Sequence, residues 1–144
     1  MTRREKLKLL LLPGDGIGPD ICETARSVIE FLTRSYDLGL IVETHLCGLA
    51  ALEKSGSTFP PSTIEAALQA DGIILGPLST LEYPPENEGG VNASAWLRTH
   101  LGLSANIRPS KALVNCAGEA ANIDLVIVRE NTYRDGVFRP NTIG

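Results

Sequence analysis

Arg98, Arg108 and Arg129 are the side chains of this sequence best suited to hold a charged small molecule. A guanidinium is permanently charged and grips a carboxylate through two parallel hydrogen bonds. One such pair at about 4 Å contributes up to ~4 kcal/mol before desolvation, at an effective dielectric near 20. Three converging arginines would therefore select a di- or tricarboxylate rather than a sugar. Taken singly, each also reads as an ordinary surface arginine. Asn106-Ile107-Arg108-Pro109 and Val128-Arg129-Glu130-Asn131 shift that balance, because both set an arginine directly beside an apolar strand.

A second feature is the run Leu9-Leu10-Leu11-Leu12-Pro13-Gly14-Asp15-Gly16-Ile17-Gly18-Pro19-Asp20. Its leucines are too few for a membrane span and suit a buried strand. The three glycines that follow let the backbone turn tightly. Pro19 favours the first turn of a helix, predicted over residues 21–33. Strand, loop and helix start together suggest an anion or nucleotide cradle, or else a plain strand-to-helix turn. The dinucleotide fingerprint Gly-x-Gly-x-x-Gly is incomplete: its third glycine falls on Pro19, and Glu43 lies too far on for the acidic partner.

Weaker candidates read as structural. His45 and His100 lack partners at ligand spacing, and neither Cys22, in the predicted helix, nor Cys116, beside a turn, reads as a nucleophile. Trp96 and Tyr83 read as packing residues. Asp15 either approaches a ligand or stabilises its own turn.

The elements that must position these residues alternate. Strands are predicted over 40–46 (ended by Gly48), 72–76 and 124–128, with extended chain over 103–109 that continues through 111–114. Arg108 is held out of the helical region by Pro109. Residues 55–61 read as a loop. Ser62-Thr63-Ile64-Glu65 reads as a capping box with Ser62 as N-cap, opening a helix to about Ala70. A further helix is predicted over 93–100, with Asn92 or Ser94 near its N-cap and Gly102 after its end. Residues 77–92, rich in proline, glycine and glutamate, cannot be regular structure. This order predicts an α/β fold with an open, mainly parallel sheet flanked by helices. Ligands in such sheets sit at the carboxyl ends of strands. The glycine loop, the loop from Gly76, Arg108 and the segment 129–131 all fall there.

A chain of 144 residues suits one domain, and 43% hydrophobic with 21% charged residues is ordinary for a globular protein. The net charge of −4 argues against nucleic acid as a partner, while a local arginine cluster still admits an anionic ligand. Met1 to Lys6 begins like a signal peptide, but the apolar run stops at Pro13; no secretion signal and no membrane segment is expected. Three cysteines without close spacing suggest neither disulfides nor a zinc site, and reduced thiols fit a cytoplasmic setting.

The motifs in order resemble a known family. Leu12-Pro13-Gly14-Asp15-Gly16-Ile17-Gly18-Pro19 is similar to the opening of the isocitrate and 3-isopropylmalate dehydrogenases, which are metal-dependent β-decarboxylating enzymes. Ile74-Leu75-Gly76-Pro77, Leu97-Arg98, Ala105-Asn106-Ile107-Arg108-Pro109 and the segment from Asp124 to Thr132 follow in the family's order. Tyr83-Pro84-Pro85 with Glu88-Gly89-Gly90-Val91-Asn92 resembles the tartrate-dehydrogenase-like branch. The resemblance implies that Arg98, Arg108 and Arg129 bind substrate carboxylates, with Asn92 and Ser94 near the substrate. It implies that Ile17, Gly76, Pro77, Leu78 and Ser79 lie beside NAD or NADP. It further implies Mg²⁺ or Mn²⁺, a 2-hydroxy di- or tricarboxylate substrate of isopropylmalate, isocitrate, tartrate or malate type, and a homo-oligomer.

Departures from the family pattern matter as much. Its members are far longer, and this chain reads as a single incomplete domain over 1–144, the N-terminal part of the isopropylmalate dehydrogenase-like fold. No metal ligand of the family falls within it. The family's catalytic tyrosine would fall at Gly136, whereas Tyr133 directly follows Thr132. Either three residues are lost and Tyr133 is the catalytic remnant, or the tail 133–144 is out of register. Two functions stay open: a truncated dehydrogenase of weak or no activity by itself, or a non-catalytic carboxylate-binding or interaction module.

Overall fold

The leucine run is the middle strand of a parallel sheet. The computed structural model describes residues 6–112 and 123–131. Strand β1 (Leu7–Leu12) pairs in parallel with β2 (Leu40–Thr44) on one side and β3 (Gly72–Leu75) on the other, in the order β2-β1-β3. The registers Leu9↔Val42 and Leu11↔Ile74 fix the three strands against one another. Leu10, Leu11 and Leu12 are all but fully buried although successive side chains point to opposite faces. Burial on both faces is the mark of a parallel strand covered by helices. Each of these leucines contributes about 1.5–3 kcal/mol.

Helix α1 (Gly18–Tyr36) starts three residues before the predicted 21–33 and ends three after. It carries Pro19 in its first turn, and no breaker interrupts it until Asp37, which takes a left-handed conformation with φ 49°. A helix that sequence reading missed, α2 (Leu49–Ser55), follows Gly48. The predicted strand end at Gly48 is thus a helix start, and β2 stops earlier, at Thr44.

The capping box at Ser62 is a second correction. Helix α3 (Pro61–Gln69) begins two residues earlier with Pro60 as N-cap, which leaves Ser62 inside the first turn. Pro60 O accepts the amides of Thr63 and Ile64 directly. The buried Thr63 hydroxyl donates across to Leu46 O instead of capping its own helix. Proline's preset φ at the first helical position displaced the local cap.

The long segment after β3 is irregular as expected, apart from one 3-10 turn at Glu86–Glu88. Helix α4 (Ala93–His100) has the predicted limits. Trp96 and His100 stack one turn apart on it, with ring centroids 4.0 Å apart, which supports a structural reading of both.

Strands β4 (Ala105–Lys111) and β5 (Asp124–Glu130) correct the topology in detail. They pair antiparallel as a two-stranded ribbon, with Ile107 opposite Val128 and a Lys111–Asp124 ion pair of 2.8 Å. Arg129 and Glu130 therefore lie inside β5 rather than beyond its end. The chain divides into two compact units, Met1–Ser94 and Ala95–Gly144; the parallel sheet belongs to the first and the ribbon to the second.

Alternation along paired strands puts Ala105, Ile107, Pro109, Val126 and Val128 on one ribbon face, with Glu130 at one end and the Lys111–Asp124 pair at the other. Ile107 and Val128 are each 66% exposed. Such an apolar face invites pairing with another copy. The protein should sediment with a coefficient that rises with concentration. Val128→Lys should suppress that rise while changing stability by less than about 0.5 kcal/mol, because the site is exposed. Concentration-independent sedimentation of the unsubstituted chain would remove this expectation.

Candidate functional site

Asp15 sits where β1 ends, and three donors from two separate segments, the start of α2 and the loop after β3, converge on its carboxylate. Oδ1 accepts the Leu49 amide at 2.7 Å; Oδ2 accepts the Ser79 amide at 2.9 Å and the Tyr83 hydroxyl at 2.5 Å. Its own amide donates to Pro77 O at 2.7 Å, and its carbonyl accepts from Gly18 at 2.9 Å. The residue is 6% exposed, so these donors take the place of water around a buried carboxylate. Leu49 opens α2, so Asp15 also sets a negative group against the N-terminus of a helix that has no cap of its own.

Glycines make this approach possible. Gly48 has φ 82° and ψ −156°, a region essentially closed to other residues, and a Cβ there would lie 2.2 Å from Asp15 Oδ1. A Cβ on Gly14 would strike Pro77 O, and one on Gly76 would strike Pro13 O. The loop leaving β1 and the loop leaving β3 are thus interlocked backbone to backbone. Gly16 alone of the loop glycines faces open space.

The nucleotide-cradle reading is narrowed accordingly. Gly14 and Gly18 are buried against protein, so only Gly16 and Ile17 are bare; Ile17 is 68% exposed. At the start of α1 the Gly18 amide is already spent on Asp15 O, and Pro19 has none. The Ile17 and Asp20 amides remain, with the Asp20 carboxylate in the same turn. That arrangement suits contact with a neutral or apolar ligand edge better than a phosphate.

Ile17 and the segment Gly76, Pro77, Leu78 and Ser79 are brought together at the carboxyl ends of β1 and β3. Ser79 spends its amide on Asp15. Asn92 is exposed and Ser94 half-buried at the start of α4.

In the second unit, the ribbon register places Asn106 opposite Arg129 and Arg108 opposite Ile127. Arg108 and Arg129 are therefore diagonal neighbours on one face, the opposite face from Ile107 and Val128. Such positions lie about 7–8 Å apart, within reach of one dicarboxylate for long side chains. Arg108 Nε donates to Asn106 Oδ1 at 2.8 Å, which holds that guanidinium on the shared face. Arg98 lies in the last turn of α4, half-buried. Tyr133 and Cys116 lie outside the described residues. Among the described residues, no group of three or more His, Cys, Asp or Glu side chains converges as metal ligands would.

Sequence reading missed the cluster around Asp15. Cys47 is buried behind it, and desolvation, with Asp15 and Cys22 nearby, pushes its thiol from 9.0 up to about 11. Burial also raises the Tyr83 hydroxyl, reinforced by its bond to Asp15. The available signal was an acidic residue within a glycine turn after a buried strand, which by itself names no partner.

Two measurements test this geometry. Gly48→Ala should cost about 2–3 kcal/mol in denaturant unfolding, against about 1 kcal/mol for Gly16→Ala, which meets only backbone strain. Equal losses would show that the Asp15 contact does not constrain position 48. A thiol raised in the fold stays protonated while the unfolded one ionises, so its stabilisation is present below pH 9 and lost as pH rises towards 11. Stability should fall by about 2–3 kcal/mol over that window, and Cys47→Ala should flatten this part of the curve. An unchanged alkaline slope would contradict the buried thiol.

Comparisons with known proteins agree on one family. The family model described as isocitrate/isopropylmalate dehydrogenase matches residues 8–139. The 3-isopropylmalate dehydrogenase of Saccharolobus solfataricus is 36% identical over 125 residues, covering 87% of this chain and 35% of that protein. That of Moorella thermoacetica is 36% identical over 135 residues, covering 87% and 38%. The crystal structure of isocitrate dehydrogenase from Methylococcus capsulatus superposes with a TM-score of 0.71 at 34% identity, over 88% of this chain and 35% of that one. A β-decarboxylating dehydrogenase of Thermococcus kodakarensis gives a TM-score of 0.65 at 27% identity, over 88% and 34%. The chain thus spans little more than a third of these relatives. Interlocked glycine loops, a three-stranded parallel sheet and a family match over nearly its whole length place the chain in the isocitrate/isopropylmalate dehydrogenase family.

Proposed function

We propose that the chain is the N-terminal part of an NAD(P)-dependent dehydrogenase of 2-hydroxy di- or tricarboxylates, holding one wall of the substrate cleft. The observation that carries this reading is the pairing of Arg108 and Arg129 on one ribbon face. Two guanidiniums there neutralise two carboxylates, and Arg98 supplies a third positive group. Asn92 and Ser94 contribute uncharged hydrogen-bonding groups to the substrate. Exposed Ile17 and the loop Gly76-Pro77-Leu78-Ser79 present an apolar edge and backbone groups to the nicotinamide end of the dinucleotide.

A bound nicotinamide would accept hydride from the hydroxyl-bearing carbon. The role of this chain's residues is to bind and orient: fixing the carboxylates sets which carbon faces the cofactor, a gain in proximity rather than chemistry. The divalent metal of the family finds no ligand set among the described residues. Tyr133 is proposed as a proton-handling group only in the register that makes it the remnant of the family tyrosine. A cytoplasmic homo-oligomer fits the free cysteines and the exposed apolar ribbon. No helix among the described residues is long and apolar enough to cross a membrane.

Calorimetry with malate, tartrate, isocitrate and isopropylmalate tests the clamp. Arg108→Leu should weaken carboxylate binding at least tenfold, the loss of one charge-assisted pair of about 1.5–3 kcal/mol. Unchanged affinity in Arg108→Leu would sink the assignment. NAD(P) reduction with Mn²⁺ present should be weak or absent from this chain.

A further inference from the structure

The segment 77–92 is irregular yet anchored at two independent points. Its far end is fixed by Thr58, whose hydroxyl accepts the Val91 amide at 2.7 Å and lies 2.7 Å from Val91 O, while the Thr58 amide donates to Gly89 O at 2.9 Å. Thr58 is fully buried, so that anchor belongs to the core. The near end is held by Asp15, through the Ser79 amide and the Tyr83 hydroxyl. Between Ser79 and Tyr83, Leu81 is fully exposed.

The near anchor has no packing explanation of the same kind. Tyr83 is only half-buried, and its hydroxyl reaches a carboxylate that already serves two backbone amides. A hydroxyl-to-carboxylate bond of 2.5 Å is at the short, strong end for such pairs. It ties residue 83 directly to the loop that carries Gly16 and Ile17. The Gly76–Tyr83 stretch is thereby closed into a ring: joined to Leu12 and Asp15 at its start and to Asp15 again through Tyr83.

We propose that Tyr83 and Asp15 are positioning residues: their hydrogen bond latches the loop 76–83 against the glycine loop, so that both present one fixed surface to a ligand. The identity of that ligand as a nicotinamide dinucleotide rests on the function proposed above; the latch itself rests on the geometry alone. Neither residue is assigned contact with the reacting atoms. Tyr83 acts through the loop it ties down.

Hydrogen exchange followed by mass spectrometry on the full chain tests the latch without any ligand. Tyr83→Phe removes one hydroxyl and keeps the ring. Amides over 77–83 should then exchange about tenfold faster, while those of β1 and of residues 86–91, held by Thr58, keep their rates. Asp15→Asn should release the same segment and also the start of α2, because Leu49 shares that carboxylate. NADH affinity, read by its fluorescence, should fall about tenfold in Tyr83→Phe, with malate affinity unchanged. A Tyr36→Phe control, at an exposed tyrosine, should alter neither. Unchanged exchange over 77–83 in Tyr83→Phe overturns the latch. So does equal acceleration in β1 and 86–91, which would make Tyr83 a general stabiliser, and so does equal NADH affinity in the two proteins. Absence of NADH binding by the unsubstituted chain overturns the dinucleotide reading instead, and the exchange result then decides the latch alone.

Discussion

The carboxylate of Asp15 joins what the parallel sheet delivers to its carboxyl edge. Three strands end side by side there, but strands alone do not fix the loops that leave them. Asp15 accepts from the start of α2, from Ser79 and from Tyr83, three donors separated from it by 34, 64 and 68 residues. Because the group is buried, any donor it lost would leave charge poorly solvated, which makes the arrangement mutually dependent. Gly48 has to be glycine for the carboxylate to fit, and Gly14 and Gly76 for the two loops to touch. The glycines of the opening motif are thus spent mainly on protein-to-protein approach. Only Gly16 is left to a ligand.

That distribution explains what the sequence disclosed and what it hid. Four leucines ahead of a glycine turn gave β1 and its double-sided burial, because hydrophobic length and turn chemistry are local properties. The limits of α4 were local as well. Helix α2 was hidden because its N-terminal partner is Asp15, 34 positions upstream, rather than a capping residue of its own. Ser62 misled for the converse reason: a local motif was present, but Pro60 and Pro61 set the helix start, and Thr63 was drawn to Leu46. Tyr83 read as a packing residue because nothing nearby in sequence marks its hydroxyl for a carboxylate.

The arginines divide in the same way. Their suitability for carboxylates followed from residue type, and the extended chain around Arg108 followed from Pro109. That Arg108 and Arg129 share a face follows from register alone, which depends on two strands meeting antiparallel with Asn106 opposite Arg129. A slip of one residue would move Arg129 to the face of Ile107 and Pro109 and separate the pair. Ribbon register is therefore the condition on which a two-armed carboxylate grip depends. The Lys111–Asp124 pair at one end and the Asn131 amide bonded to Ser104 O at the other both favour the observed register.

The two faces of that ribbon make different demands. One carries Asn106, Arg108, Ile127 and Arg129, a mixed surface fit for an anionic ligand. The other carries Ile107, Pro109, Val126 and Val128, with Glu130 at one end and the Lys111–Asp124 pair at the other. A two-stranded ribbon is marginal by itself in water, since neither face is buried. Holding the arginine register thus depends on covering the apolar face, and whatever covers it also sets the spacing of the two guanidiniums. Association through that face and carboxylate affinity should accordingly be linked: a substitution such as Val128→Lys, remote from the arginines' face, would weaken carboxylate binding to the extent that it removes the second copy from the apolar face.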